Sequence, residues 1–366
     1  MSSKFPRDYS ELTIEYLNKV LSPKLKNEII SYKEGERMEP GFTGEVVRII
    51  PQYKEYKENL PKSLIIKFHS DNKNIQAFMS KIKGYEKEIK IYEILNSINK
   101  LNTPQIFHSE IDSEGSNYII IMEDLNERGL FNINKEKPFD IGVLKLIVEY
   151  FAELHSNFFG KERHTNIEWI NDYNFGKYMK EFTIKNFDKK KEFFISNNKK
   201  ILNENIINII KNINILDLYE KIDPDSDKNK DRITLLHGDA QPGNLMINQE
   251  KNKIAMIDWQ YINIGLGLKD IILFIGISLD ENKIKDSDIN ELKCLYYNYL
   301  KEKGINYEKN LFEEDWKNLC LISLCNIISA SAEENIGNDE EKRKKYGDYL
   351  SISEKRFITF LQKQNI

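Results

Sequence analysis

"HGDAQPGN", residues 237–244, is a polar loop set between two apolar runs, 234–236 and 245–247. Gly238, Pro242 and Gly243 release or restrict the backbone at defined points, which makes the segment a tight turn rather than a linker. Such a turn can aim Asp239 and Asn244 into one cavity. The polar stretch 249–253 then reads as a hairpin connection, and the apolar run 254–257 that follows it ends on Asp258. The hairpin would bring the two strand ends together and add a second carboxylate at the same place. A carboxylate that can orient a hydroxyl and accept its proton, beside hard oxygen ligands for a divalent metal, is what phosphoryl transfer asks of a protein. Asp239 fits the base, and Asn244 and Asp258 fit the metal ligands.

Upstream, Glu88 falls on the helical stripe Tyr85, Glu88, Tyr92, Leu95, so a carboxylate stands in the middle of a core-facing face. A buried charge needs a partner. Lys67 is the candidate, because it sits in the apolar strand 64–68, where an unpaired ammonium would be equally costly. Simple alternation would also allow Lys67 on a solvent face, with Glu88 reaching outward. Taken jointly, strand lysine followed by helix glutamate is the pair that holds ATP phosphates in kinase sites. Before that lysine comes Gly41-Phe42-Thr43-Gly44, a turn running into a strand, whose glycines let backbone amides approach phosphates. A Gly-x-x-Gly hairpin with no ligand is the other meaning of that string.

The bulk properties narrow the class. A chain of 366 residues exceeds the size at which a single core stops growing, so two lobes are expected. A net charge of -4 supplies no electrostatic footprint for nucleic acid, and no basic amphipathic stretch suits a membrane surface. The first residues lack an apolar signal region, and the apolar runs are too short to span a bilayer, so the expected location is cytoplasmic. Cys294, Cys320 and Cys325 form no CxxC pair and fall in predicted helices, which suggests buried thiols. The five histidines show no metal-ligand spacing.

Along the chain, residues 10–22 read as an amphipathic helix, and two β-type runs around 41–53 and 60–70 suggest an antiparallel pair. A helical stripe covers 81–99, and strand-like runs follow at 105–108 and 118–122. Beyond "MEDLNERG" the chain turns helical over 140–159, 172–196 and 200–220, and helices return from 268, with 316–331 apolar on most sides. The pattern is α+β: a β-rich N-terminal lobe over 1–122 and a mostly helical lobe over 128–366, with 123–127 between them.

Taken together, these strings resemble the kinase-like phosphotransferases that act on small molecules, the aminoglycoside phosphotransferase and choline kinase superfamily. The closer likeness is to its ecdysteroid-kinase-like (CHK-type) branch. "GFTGEVVRI", "LPKSLIIKF", "YEKEIKIYEIL", "IIIMEDL", "FAELHSNFF", "HGDAQPGNLM", "IDWQ" and "GLGLKDIILFI" follow that family's order and cover most of residues 40–280. The resemblance implies a bilobal protein-kinase-like fold with ATP between the lobes, Lys67 and Glu88 anchoring phosphates, Asp239 as base, and Asn244 and Asp258 on Mg2+. It also implies that Glu123, Asp124 and Leu125 form the hinge that meets adenine. The implied reaction is ATP- and Mg2+-dependent phosphorylation of a small-molecule alcohol.

His-Gly-Asp in place of His-Arg-Asp, Asp-Trp-Gln in place of Asp-Phe-Gly and the lack of Ala-Pro-Glu argue against a protein kinase. A kinase-like binding protein without catalysis would be marked by a missing lysine, base or metal ligand, and all five positions are filled here. Three further residues receive structural readings: His155 as a core histidine bonded to the catalytic segment, His237 as a brace for its loop, and Asp270 as a helix N-cap. The acidic cluster Glu333, Glu334, Asp339, Glu340, Glu341, followed by Lys342 to Lys345, reads as a solvated face. The acceptor's identity and the oligomeric state are not encoded in any of these patterns.

Overall fold

A computed structural model of the chain describes residues 5–37, 43–98, 101–160, 166–170, 175–248, 250, 252–331 and 340–364. In chain order, the first elements are α1 (Ile14–Leu25), β1 (Ile29–Arg37), β2 (Val46–Tyr53), β3 (Leu64–Phe68), α2 (Lys73–Lys81), α3 (Gly84–Leu95), β4 (Ile106–Ile111) and β5 (Tyr118–Glu123). Next come β6 (Phe131–Asn132), α4 (Ile141–Asn157), α5 (Phe175–Asn197), α6 (Glu204–Asn212), α7 (Ile215–Lys221), β7 (Ile233–Leu236), β8 (Leu245–Asn248) and β9 (Lys253–Met256). The chain closes with β10 (Asn263–Leu266), α8 (Leu268–Ser278), α9 (Asp286–Glu302), α10 (Lys309–Ala330) and α11 (Glu340–Lys363).

These elements form two compact units, Met1–Phe131 with Met246–Tyr261, and Asn132–Leu245 with Ile262–Ile366. The first is built on a sheet of order β1-β2-β3-β5-β4, antiparallel at every step. β5 sits between two partners and is buried along nearly its whole length, which is why it reads as a continuous apolar run rather than an alternating one. Leu17 and Leu21 of α1 pack with Ile49, Ile66, Ile119 and Ile121 from the sheet in one apolar cluster. Burying such a side chain fully stabilises the fold by roughly 1.5–3 kcal/mol. α1 begins where Thr13 accepts from the Tyr16 N–H, four residues later than the sequence pattern suggests, because a short 3-10 turn over Tyr9–Glu11 precedes it.

The units divide the chain differently from the two sequence-derived lobes: residues 246–261, expected in the helical lobe, group with the N-terminal one. Packing explains this. Met246, Ala255 and Ile257 join Leu125 and Leu130 in a cluster, Asn102 Nδ2 donates to the Ile254 carbonyl at 2.9 Å, and the turn Trp259–Tyr261 packs on α3.

The second unit is mostly helical, with β7 and β10 paired antiparallel so that Leu236 faces Asn263. α8 is buried on nearly all sides, and α10 carries the run expected to be apolar on most sides. The stretch expected as one helix over 200–220 is two, because Asn214 caps a new one by accepting from the Asp217 N–H. Cys320 and Cys325 are buried, but Cys294 is exposed, since the stripe Ile289, Leu292, Tyr296 turns the opposite face of α9 inward. The acidic cluster at 333–341 and the basic run after it lie outside the residues whose side chains are described. Among the described residues no helix is long and apolar enough to cross a membrane.

Candidate active site

In the first unit, β3 delivers Lys67 and α3 delivers Glu88. The Lys67 ammonium donates to Glu88 Oε1 at 2.9 Å and Oε2 at 3.0 Å, and to Asp258 Oδ1 at 2.7 Å. Lys67 is 7% exposed and Glu88 is 0% exposed, so neither takes the solvent-facing position that alternation allowed. Burial alone would lower the Lys67 pKa, but the carboxylates of Asp258 and Glu88 hold it above the ordinary lysine range. Burial pushes Glu88 the other way, above the usual carboxylate value; Lys67 opposes that shift and the nearby Asp258 charge adds to it. Two carboxylates share one ammonium here, a formal surplus of one negative charge that a divalent cation would offset.

Asp258 has a φ of 65°, the left-handed region that aspartate tolerates better than most residues and that recurs at functional sites. Two positions on, Gln260 is 0% exposed, and its Nε2 donates to Glu88 Oε2 at 2.9 Å and to the Tyr118 hydroxyl at 3.0 Å. The Tyr118 ring stacks on Tyr85 with centroids 4.1 Å apart, and the Tyr85 hydroxyl donates to the Thr43 carbonyl at 2.7 Å. Thr43 is therefore tied to α3. Beside it, a Cβ on Gly44 would come within 2.0 Å of the Phe68 carbonyl oxygen, so only glycine fits that approach. Gly41 and Phe42 lie outside the described residues.

At the end of β5, the Glu123 carboxylate pairs with Arg128 at 3.0 Å and accepts from the Gln105 N–H. Asp124 is 2% exposed; it pairs with Arg48 at 2.6 Å, accepts from Ser63 Oγ at 2.8 Å, and caps the short turn Leu125–Arg128. Both side chains are thus engaged by the protein itself.

In the second unit, β7 leads into the loop 237–244, and Gly238 turns it with a φ of 83°. Asn244 Nδ2 donates to both the carbonyl and Oδ2 of Asp239, each at 2.9 Å, and Gln241 Nε2 donates to the same Oδ2 at 2.9 Å. Two side-chain amides therefore orient the Asp239 carboxylate. Because the Asn244 amide nitrogen is spent on Asp239, its carbonyl oxygen is the side-chain atom that could ligate a metal. Gln241 is held in turn by the Tyr349 hydroxyl on α11, which donates to its Oε1 at 3.2 Å.

His237 braces the loop as expected: its Nδ1 accepts from the Asp239 N–H at 3.3 Å. Asp270 does not cap its helix. Gly267 is the N-cap of α8, and Asp270, in the first turn, reaches back to accept from the His237 N–H at 2.7 Å and the Gly238 N–H at 3.2 Å. His155 reaches this latch, lying between the Tyr296 hydroxyl at 2.9 Å and Asp270 Oδ2 at 3.4 Å, and its carbonyl accepts from the Thr234 hydroxyl on β7 at 2.8 Å.

The model of the ecdysteroid kinase-like family matches residues 39–307. The chain belongs to that family. Membership places this ecdysteroid kinase-like protein among the kinase-like small-molecule phosphotransferases. Similar solved structures include choline kinase from Cryptosporidium parvum Iowa II, with 15% identity, a TM-score of 0.53 and coverage of 97% of this chain and 95% of that one. The GDP complex of aminoglycoside 2'-phosphotransferase-IIIa is 13% identical, with a TM-score of 0.50 and coverage of 97% and 99%. At such identities the likeness establishes a kinase-like fold. No sequence among the curated proteins matches the chain.

The unit that holds Lys67, Glu88 and Asp258 also holds Thr43, Gly44 and residues 123–125, whereas Asp239 and Asn244 belong to the other unit. The sequence reading missed the roles of Gln241, Gln260 and Tyr118. Only the polar Gln260 inside an otherwise apolar turn hinted at a buried partner.

Proposed function

We propose that this ecdysteroid kinase-like protein transfers the γ-phosphoryl group of ATP to a hydroxyl of a small organic molecule. The observation that carries this reading is the buried Lys67 ammonium held between Glu88 and Asp258. Burying three charges is expensive, and a phosphate-binding lysine poised beside a metal-binding carboxylate is a function that justifies it. Lys67 anchors the nucleotide phosphates and Glu88 fixes its position. Asp258 and the Asn244 carbonyl oxygen are the groups that would hold Mg2+, which when bound would offset the phosphate charge. Thr43 and Gly44 offer backbone amides to phosphate. The hinge 123–125 meets adenine through its backbone, since the side chains of Glu123 and Asp124 are engaged elsewhere.

Asp239, oriented by Asn244 and Gln241, accepts the proton of the acceptor hydroxyl as its oxygen bonds to the γ-phosphorus. The bond from that phosphorus to the bridging oxygen breaks, and ADP leaves. Transfer of labelled γ-phosphate with and without Mg2+, to a panel of hydroxylated steroids, aminoglycosides, macrolides, choline-like amino alcohols and sugars, tests the proposal. Magnesium-dependent label in one small-molecule class supports it. Label only in a generic protein acceptor, or none with any acceptor, contradicts it.

A further inference from the structure

Gln260 pays an uncommon cost. Its side chain is wholly buried, its two N–H groups go to Glu88 Oε2 and the Tyr118 hydroxyl, and its Oε1 is buried with no hydrogen-bond partner among the described residues. Turning the amide over would set that oxygen against a carboxylate oxygen, so the chemistry of Glu88 fixes the orientation. An apolar residue of similar shape, such as methionine, would fill the space without leaving an acceptor unsatisfied. The reason for an amide here lies in what its N–H groups hold.

They hold Glu88. Of that carboxylate's two oxygens, Oε1 takes the closest contact from Lys67, and Oε2 accepts from Gln260 at 2.9 Å and from Tyr118 at 3.3 Å. Gln260 supplies this donor without adding charge to a trio that already carries one negative charge in surplus. The turn that carries it is rigid: Trp259 is 0% exposed and its Nε1 donates to the Met256 carbonyl at 3.0 Å. The backbone of the turn lies close against the start of α3, where a Cβ on Gly84 would sit 3.3 Å from the Gln260 carbonyl oxygen.

We infer that Gln260 is a positioning residue: from the same turn that carries Asp258, its amide fixes the Glu88 carboxylate against Lys67. The segment that presents the metal-binding aspartate thereby also sets the phosphate-binding lysine, through a side chain that touches neither ligand. The inference rests on the nucleotide reading above for its consequence, but not for its geometry.

The test is Gln260→Met, which keeps the volume and removes both donors. Lys67 and Lys87 are both buried, the first on β3 and the second on α3 beside Glu88, so acylation of each in the nucleotide-free protein by a water-soluble active ester, read by peptide mass spectrometry, separates release of Lys67 from loosening of α3. In Gln260→Met, Lys67 labelling should rise on the order of tenfold relative to Lys87, and MgATP affinity measured by calorimetry should fall by a similar factor. Tyr118→Phe should have a smaller effect, and the double variant should change less than the product of the two single effects. Unchanged Lys67 labelling, or an equal rise at Lys87, overturns the inference. If the wild-type protein binds no MgATP but the variant still releases Lys67 selectively, the nucleotide reading falls and the positioning role stands.

Discussion

Lys67 and Asp258 stand 191 positions apart in the chain, yet the ammonium of one lies 2.7 Å from the carboxylate of the other, with Glu88 on the same ammonium. Removing the cation leaves a buried carboxylate without its counter-charge. Lys67→Met should cost about 3–5 kcal/mol of stability, as breaking a buried ion pair does, measured by urea unfolding. Nucleotide binding should be lost with it. A variant as stable as the wild type would show that the trio is not what it appears from its geometry.

The latch from Asp270 to the catalytic loop predicts a different signature. Asp270→Asn keeps the shape, but the His237 and Gly238 N–H groups go to different oxygens of Asp270, so the amide keeps one of these bonds at most and turns an NH2 towards the other donor. Turnover should fall on the order of tenfold and by more than the KM for ATP changes, because the latch holds the Asp239 end of the loop, the proposed base, directly and Asn244, the proposed metal ligand, only through it. Steady-state kinetics on the acceptor identified in the panel provide the measurement, and a rise in KM for ATP alone would contradict it.

Gly44→Ala puts a methyl group within 2.0 Å of the Phe68 carbonyl oxygen, a backbone atom that cannot rotate away. The strand ends must separate, at a cost of about 1–3 kcal/mol for an overpacked site. Thermal unfolding should report the loss, and weaker nucleotide binding should accompany it. Gly304→Ala is the control: nothing lies near its Cβ, though its φ of 76° makes it strained too.

Glu153 joins α4 to α9. It accepts from the Tyr299 hydroxyl and Asn157, pairs with Lys303 at 2.7 Å, and is 7% exposed. Burial would raise its pKa, but the bonds from Lys303, Tyr299 and Asn157 together hold it below the usual carboxylate value. A carboxyl depressed in the folded state contributes stability above its unfolded pKa and loses it as pH falls through the folded one. Glu153→Gln should therefore destabilise the protein by about 1–3 kcal/mol at pH 7 and by progressively less below pH 4.5. Equal destabilisation at pH 7 and at the acid end of the range would contradict that sign.

Much of the site was legible because its residues break local rules in ways only a partner repairs. Lys67 in an apolar strand and Glu88 on a core-facing helical stripe each demand an opposite charge, and each demand names the other. Asp239 and Asn244 were legible because glycine and proline fix the turn between them. Gln260 and Asp270 were not, since an amide or carboxylate near a turn has many cheap local uses, and their actual partners lie 172 and 33 positions away. β1 was missed for a related reason: "IISYKEGER" is charged and only partly buried, so its pairing with β2 rests on backbone hydrogen bonds that leave little trace in side-chain pattern. The grouping of 246–261 with the N-terminal unit depended on packing against α3 and Leu125, which no local window contains.

The central claim is that Asp239 is the base, and the most direct measurement is single-turnover phosphoryl transfer by Asp239→Asn beside MgATP binding by the same variant. The substitution preserves an oxygen for the Asn244 and Gln241 amides and removes the proton acceptor. The account predicts nucleotide affinity within about twofold of wild type and transfer slowed by at least about a hundredfold, the usual scale of a general base. Transfer at the wild-type rate with intact nucleotide binding would contradict it.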